Sequence, residues 1–160
     1  MPGANVQFLN RALFDSLIER ARRSPRLRTN HNFHSGPEDN PHRFLNVMVK
    51  GTYIAPHRHL QPPKAESFLV LEGEVAILTF EDSGRIAGTW LLGREPMGID
   101  LPPGIWHTTI VVSPHAICYE VKPGPYSPAD DKEFAPWAPR EGDPGAKAYL
   151  LALFAKATAR

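Results

Sequence analysis

The chain has 160 residues, enough for one domain with a real core. Its 42% hydrophobic and 22% charged residues are ordinary for a soluble protein, and a formal net charge of +1 leaves no broad basic field for nucleic acid. The start carries neither a long apolar run nor a signal-peptide pattern, so no membrane association is expected and the cytoplasm is the expected location. Cys118 is the single cysteine, which excludes an intrachain disulfide.

Residues 10–23, NRALFDSLIERARR, predict an amphipathic helix. Asn10 suits the N-cap, and Leu13, Phe14, Leu17, Ile18 and Ala21 form one apolar stripe. Arg20, Arg22 and Arg23 fall in the last turn, where the helix dipole favours cations, and Pro25 ends the element. A series of short strand-like runs follows, near 28–34, 43–50, 52–57, 66–71, 74–81, 86–92, 98–101, 105–112 and 116–122. Turn signals such as Lys50-Gly51, Glu72-Gly73, Asp82-Ser83-Gly84 and Pro102-Pro103-Gly104 separate them. Strands of this length and spacing predict a mostly β, antiparallel sandwich or barrel over about 28–122. From Lys122 onward proline and charge rise and periodicity is lost. Tyr126, Phe134 and Trp137 favour an arm packed on the barrel over a flexible linker. Residues 145–158 predict a second helix, apolar widely around its axis, which packs on its own barrel or also on a partner subunit. The arm and helix, about 123–158, complete a single domain over 1–160.

His57 and His59 flank Arg58 in PHRH. On a strand, alternate side chains share a face, so both imidazoles can converge on one ion while Arg58 points away. Glu66 heads an otherwise apolar run, SFLVLEGE. A carboxylate there is costly unless it is paired, bound to metal, or left at a solvated strand mouth. His107 follows a Pro-Pro-Gly turn at the head of another apolar strand. Alone it reads more readily as a hydrogen-bonded structural histidine than as a ligand. With the others it completes three imidazoles and one carboxylate.

The spacing Gly51-x5-His57-x-His59-x6-Glu66-x6-Gly73, followed by Pro102-x-Gly104-x2-His107, resembles the two motifs of the cupin superfamily. That resemblance implies an antiparallel jelly-roll-like β-barrel. It also implies one divalent transition metal (Zn, Fe, Mn, Ni or Co) held by His57, His59, Glu66 and His107. The gap between His59 and Glu66 is longer than the three or four residues usual in cupins. The extra length, Leu60 to Ala65, is expected to form a loop at the barrel mouth that carries Lys64 and shapes access to the metal. SPRLRTNHNFH at 24–34, Arg43 with Leu45-Asn46, GTYIAPHRH and LPPGIWHTTIVV together resemble the WbuC family of cupin-fold metalloproteins. Members of that family are often encoded with surface-polysaccharide (O-antigen) synthesis. A homodimer is expected by analogy with cupins.

If residues 30–34 are a strand, Asn30, Asn32 and His34 share one face. Two amides and an imidazole in a row suit a polyhydroxylated ligand, or else an exposed polar edge. Arg43 is a candidate for a ligand carboxylate or phosphate, or for a surface ion pair with Glu38 or Asp39. Tyr126 is a candidate at the mouth. Glu120 shares a face with Cys118 in AICYEV. If that face is inward, Glu120 is a candidate base; if outward, it is a solvated residue. Glu120 and His34 are the candidate catalytic groups, and Asn30, Asn32, His34, Arg43, Lys64 and Tyr126 the candidate substrate-binding groups. Trp106 is expected to face away from the metal and pack against another element. His31, His42 and His115 read as structural or surface histidines. The expected function is metal-dependent isomerisation, epimerisation or related chemistry on a sugar-like small molecule. The alternative is a non-catalytic, metal-dependent binding or regulatory module.

Overall fold

The computed structural model describes residues 6–129 and 131–159; residues 1–5, 130 and 160 of the predicted domain and its arm lie outside the described residues. The first helix, α1 (Arg11–Arg23), starts where the sequence places it. The Asn10 side chain accepts a hydrogen bond from the Leu13 N–H at 2.9 Å, satisfying one of the orphan donors of the first turn. Asn10→Ala is expected to lower stability by about 1 kcal/mol, read as a lower urea midpoint at unchanged slope. The stripe Leu17, Ile18 and Ala21 is buried against Leu45, Val47 and Ile117.

The strands are β1 (Arg28–Asn32), β2 (His42–Val49), β3 (His57–Arg58), β4 (Glu66–Glu72), β5 (Val75–Phe80), β6 (Ile86–Leu92), β7 (Gly98–Leu101), β8 (Trp106–Val111), β9 (His115–Lys122) and β10 (Glu133–Phe134), with α2 (Ala146–Thr158) last. They form two five-stranded antiparallel sheets, in the orders β1-β2-β9-β4-β7 and β10-β3-β8-β5-β6. Between them lies a core that includes Met48, Phe68, Val70 and Cys118 from the first sheet and Val75, Ile77 and Val111 from the second. α1 covers the outer face of the first sheet. The arm and α2 cover the outer face of the second, where Trp106, Ile110 and Phe80 meet Ala135, Trp137 and Leu153. Both faces of the second sheet are therefore covered at its centre, and every residue of β5 and β8 is buried. The predicted mostly β architecture with a helix at each end is what forms. Among the described residues no ladder joins the two sheets, so the jelly roll is open rather than a closed barrel. No helix among the described residues is long and apolar enough to cross a membrane.

The run predicted as a strand over 52–57 is one only from His57. Its carbonyls are used elsewhere: Ile54 O accepts the Thr108 hydroxyl, Ala55 O accepts His57 Nδ1, and Pro56 O accepts the Ala135 N–H. Pro56 itself has no N–H to give a ladder. The Pro-rich arm packs, as its aromatics predict. Its Trp137 ring lies over Gly84, where a Cβ would approach the indole to 2.8 Å and the backbone has φ +83°.

Candidate metal centre

His57 on β3 sits directly opposite His107 on β8, and their ring centroids are 4.5 Å apart. His59 follows two residues later, on the same side of the chain, with ring centroids 5.2 Å from His57 and 5.9 Å from His107. Arg58 between them points outward, over the Trp106 ring at 4.2 Å and in an ion pair with Glu133 at 2.8 Å. Glu66, at the head of β4, reaches the group from the other sheet. The long segment before it is absorbed locally. Leu60 bridges to Pro63, and His59 O accepts the N–H groups of Lys64 and Gly104, so the chain folds back to bring Glu66 beside His59.

The hydrogen bonds of the imidazoles decide what this group can hold. His57 Nδ1 donates to Ala55 O at 3.0 Å, His107 Nδ1 to Ile105 O at 2.9 Å, and His59 Nδ1 to Asp131 O. A carbonyl only accepts, so each Nδ1 carries the proton and each Nε2 is left with a lone pair. Glu66 Oε2 lies 3.0 Å from His107 Nε2 and 3.2 Å from His59 Nε2. A carboxylate facing imidazole lone pairs requires positive charge between them, either an added proton or a metal ion. His59 Nε2 is buried without a hydrogen-bond partner. One potential ligand atom from each of the four residues lies within 4.8 Å of all the others. A metal with bonds of about 2.1 Å spans ligand pairs up to about 4.2 Å apart, so the set needs only a small inward adjustment. The four buried side chains fit a divalent transition metal, whose identity three imidazoles and a carboxylate do not choose.

Electrostatics prepare the ligands. Burial pushes the His57 pKa well down, with the Lys132 charge adding to it, and this keeps the ring in the neutral form that metals take. Burial alone would raise Glu66, but the contacts from His107 and His59 outweigh it and hold the carboxyl well below the usual range. Metal and proton compete for the same lone pairs. Because His57 and Glu66 are held well below their usual ranges, metal affinity should persist as pH falls through the usual imidazole range and be lost at more acid pH, measured by competition with a chelator.

A second layer of charge surrounds the centre. The Asp131 carboxylate, buried in the arm, pairs with Lys64 Nζ at 3.0 Å and Lys122 Nζ at 2.9 Å. Lys122 Nζ also lies 3.5 Å from Glu66 Oε1, and Lys64 Nζ donates to Pro125 O at 2.6 Å. The arm is thus strapped across the site by two lysines and by His59. Glu120 on β9 faces inward and is 5% exposed, so the outward alternative is excluded. Asn46 Nδ2 donates to its Oε1 at 2.7 Å. Burial, with the negative charge of Glu66, pushes the Glu120 carboxyl up to about 7. The narrow space beside the ligands is also lined by Lys64, Leu101, Pro102 and Ile105.

The other predicted site residues divide. Asn30 and Asn32 pair in register with Asn46 and Phe44, so they share the inner face, at the open edge of the first sheet. His34 stacks on His42 with ring centroids 4.0 Å apart and reaches Phe44 at 6.4 Å; none of its ring contacts or hydrogen bonds reaches the ligand set. Tyr126 lies half-exposed on the arm, with its ring 6.5 Å from that of His42. Arg43 shares the opposite, outer face with Leu45, and the structure does not bring it to the centre. It makes no ion pair with Glu38 or Asp39 and instead reaches Phe33 O at 3.5 Å. Lys64, expected on a loop at the barrel mouth, is buried beside the ligands and tied to the arm. Trp106 packs against the arm as expected, with Nε1 donating to Asp82. Asn46, Lys122, Asp131 and Lys132 were not singled out from sequence. The alternation Cys118, Glu120, Lys122 signals the second of these; Asp131 and Lys132 sit in a segment without periodicity.

Several solved structures share this architecture. CapF from Staphylococcus aureus, a capsular polysaccharide assembling protein, matches at TM-score 0.58 and 19% identity over 69% of this chain and 32% of CapF. The chain therefore spans about a third of CapF. Oxalate oxidase, in complex with the substrate analogue glycolate, matches at TM-score 0.54 and 14% identity, over 85% of this chain and 75% of that one. Protein SO0799 from Shewanella oneidensis matches at TM-score 0.57 and 13% identity, over 75% and 82%. These likenesses establish the cupin fold. No curated protein matches the chain. A family model matches residues 9–92, just over half of the chain, and covers His57, His59 and Glu66. The chain belongs to the family described as Domain of unknown function (DUF6016).

Proposed function

We propose that the chain is a divalent-metal cupin enzyme acting on a small sugar-derived or nucleotide-sugar-like molecule, by isomerisation, epimerisation or related proton-transfer chemistry. One observation carries the reading: three imidazoles with committed Nδ1 atoms cluster with Glu66, two of them turning Nε2 towards its carboxylate, while a second buried carboxyl, Glu120, is pushed up to about 7 by burial and by the charge of Glu66. When bound, a divalent ion acts as a Lewis acid on a substrate oxygen. The chain's own groups supply the rest. Glu120 can accept or return a proton near neutral pH, with Asn46 fixing its Oε1. Asn30 and Asn32 offer donors and acceptors to ligand hydroxyls along the open edge. The arm excludes water from the ligand set. The setting in surface-polysaccharide (O-antigen) synthesis rests on the sequence resemblance to the WbuC family; the likeness to CapF is one of fold.

The test is to incubate metal-loaded protein with a panel of sugars and nucleotide sugars and to follow mass and solvent-proton exchange. Conversion or exchange that vanishes on metal removal supports the enzyme. Binding without change across the panel contradicts it and favours the non-catalytic module.

A further inference from the structure

The charges sealed around the centre do not balance once a divalent ion is bound. Among the described residues the surrounding cations are Lys64, Lys122 and Lys132, and the anions are Glu66, Asp131 and Glu120. With neutral imidazoles and Glu120 ionised the two sets cancel in the absence of metal, and with Glu120 protonated they already leave one positive charge. A divalent ion therefore leaves an excess of at least two positive charges in a site of low polarity, which is costly unless a ligand compensates it.

The structure also shows where the compensating charge would act. Lys64 and Lys122 are both taken by Asp131, with Lys122 also near Glu66. Lys132 is different. Among the described residues its ammonium makes no ion pair and no hydrogen bond, yet it feels the charges of Glu66, Lys122, Glu120 and Asp131. It also acts on His57. By strand alternation Lys132 shares its side of the chain with Phe134, whose ring lies 6.1 Å from His57, while Glu133 between them turns out to Arg58. Half-buried on the strap, Lys132 has no committed partner among the described residues and lies on the His57 side of the chain, where burial lowers the pKa of its ammonium.

We propose that the loaded centre takes an anionic ligand, the carboxylate or phosphate group of a small hydroxylated molecule, with the Lys132 ammonium as its cationic partner. This rests on the metal-enzyme reading above and narrows its substrate class. Neutral sugars lack the charge the site requires.

The experiment uses the full chain, with metal content measured first on each sample. Glycerol, glycerate and glycerol 3-phosphate are then titrated by calorimetry into the metal-loaded protein. They share a hydroxylated backbone and differ in the anion, so the two charged probes also separate carboxylate from phosphate. At least one is expected to bind tenfold or more tighter than glycerol. Lys132→Met should remove about tenfold or more of that preference at unchanged metal content, and Lys132→Arg should restore most of it. Equal affinity for glycerol, or an unchanged preference in Lys132→Met, overturns the proposal while leaving the metal centre standing. Should Lys132→Met fail to fold, the probe series on the unmodified protein still decides. Protein that takes up no metal overturns both this inference and the reading beneath it.

Discussion

His107→Ala is expected to abolish stoichiometric metal binding while the fold persists. The substitution removes the imidazole that stands opposite His57 and 3.0 Å from Glu66, and leaves three potential ligands, His57, His59 and Glu66. Changes to the outer partners of metal ligands alone cost about 10–100-fold in affinity, so loss of a ligand should exceed about 100-fold. The core between the sheets is built by Met48, Phe68, Val70, Ile77 and their neighbours, none of which is altered, so circular dichroism should keep its β signature. His57→Ala should behave alike. Stoichiometric metal retained in either variant would contradict the ligand set.

Glu120→Gln is the second large effect. The amide is nearly isosteric and can still accept from Asn46, but it cannot hold or release a proton in the needed range. Turnover of any substrate found in the panel should fall by about 10²–10⁴-fold, with metal content unchanged. The pH profile should change with it. Because the Glu120 carboxyl sits at about 7, its basic form grows as pH rises through that value, so activity limited by this base should climb from pH 6 to 8. That limb should vanish in the variant. An unchanged rate with an unchanged profile would remove Glu120 from the chemistry.

The cluster of His57, His59, Glu66 and His107 was legible because its signals are local: two histidines spaced by one, a carboxylate heading an apolar run, and a histidine after a turn. The surrounding charges were not. Asp131 meets Lys64 and Lys122 only because the arm returns across the site, and the arm has no pattern that places it. The face of Arg43 was not legible for a related reason. Phe44 and Leu45 are both buried, one under each face of the first sheet, so the apolar pattern of β2 gives no phase for its neighbours. The strand expected over 52–57 failed because its carbonyls serve side chains and the arm rather than a ladder. The fold class survived these errors, since it depends on the number and spacing of strands and turns rather than on their ends.

The most direct test of the central claim is metal analysis of protein purified without a histidine tag, before and after incubation with divalent transition metals. About one equivalent of metal per chain is expected, released at acid pH and absent from His57→Ala. Less than about a tenth of an equivalent, with no uptake on addition, would contradict it: the lone pairs facing Glu66 would then be satisfied by protons, and the centre would be structural.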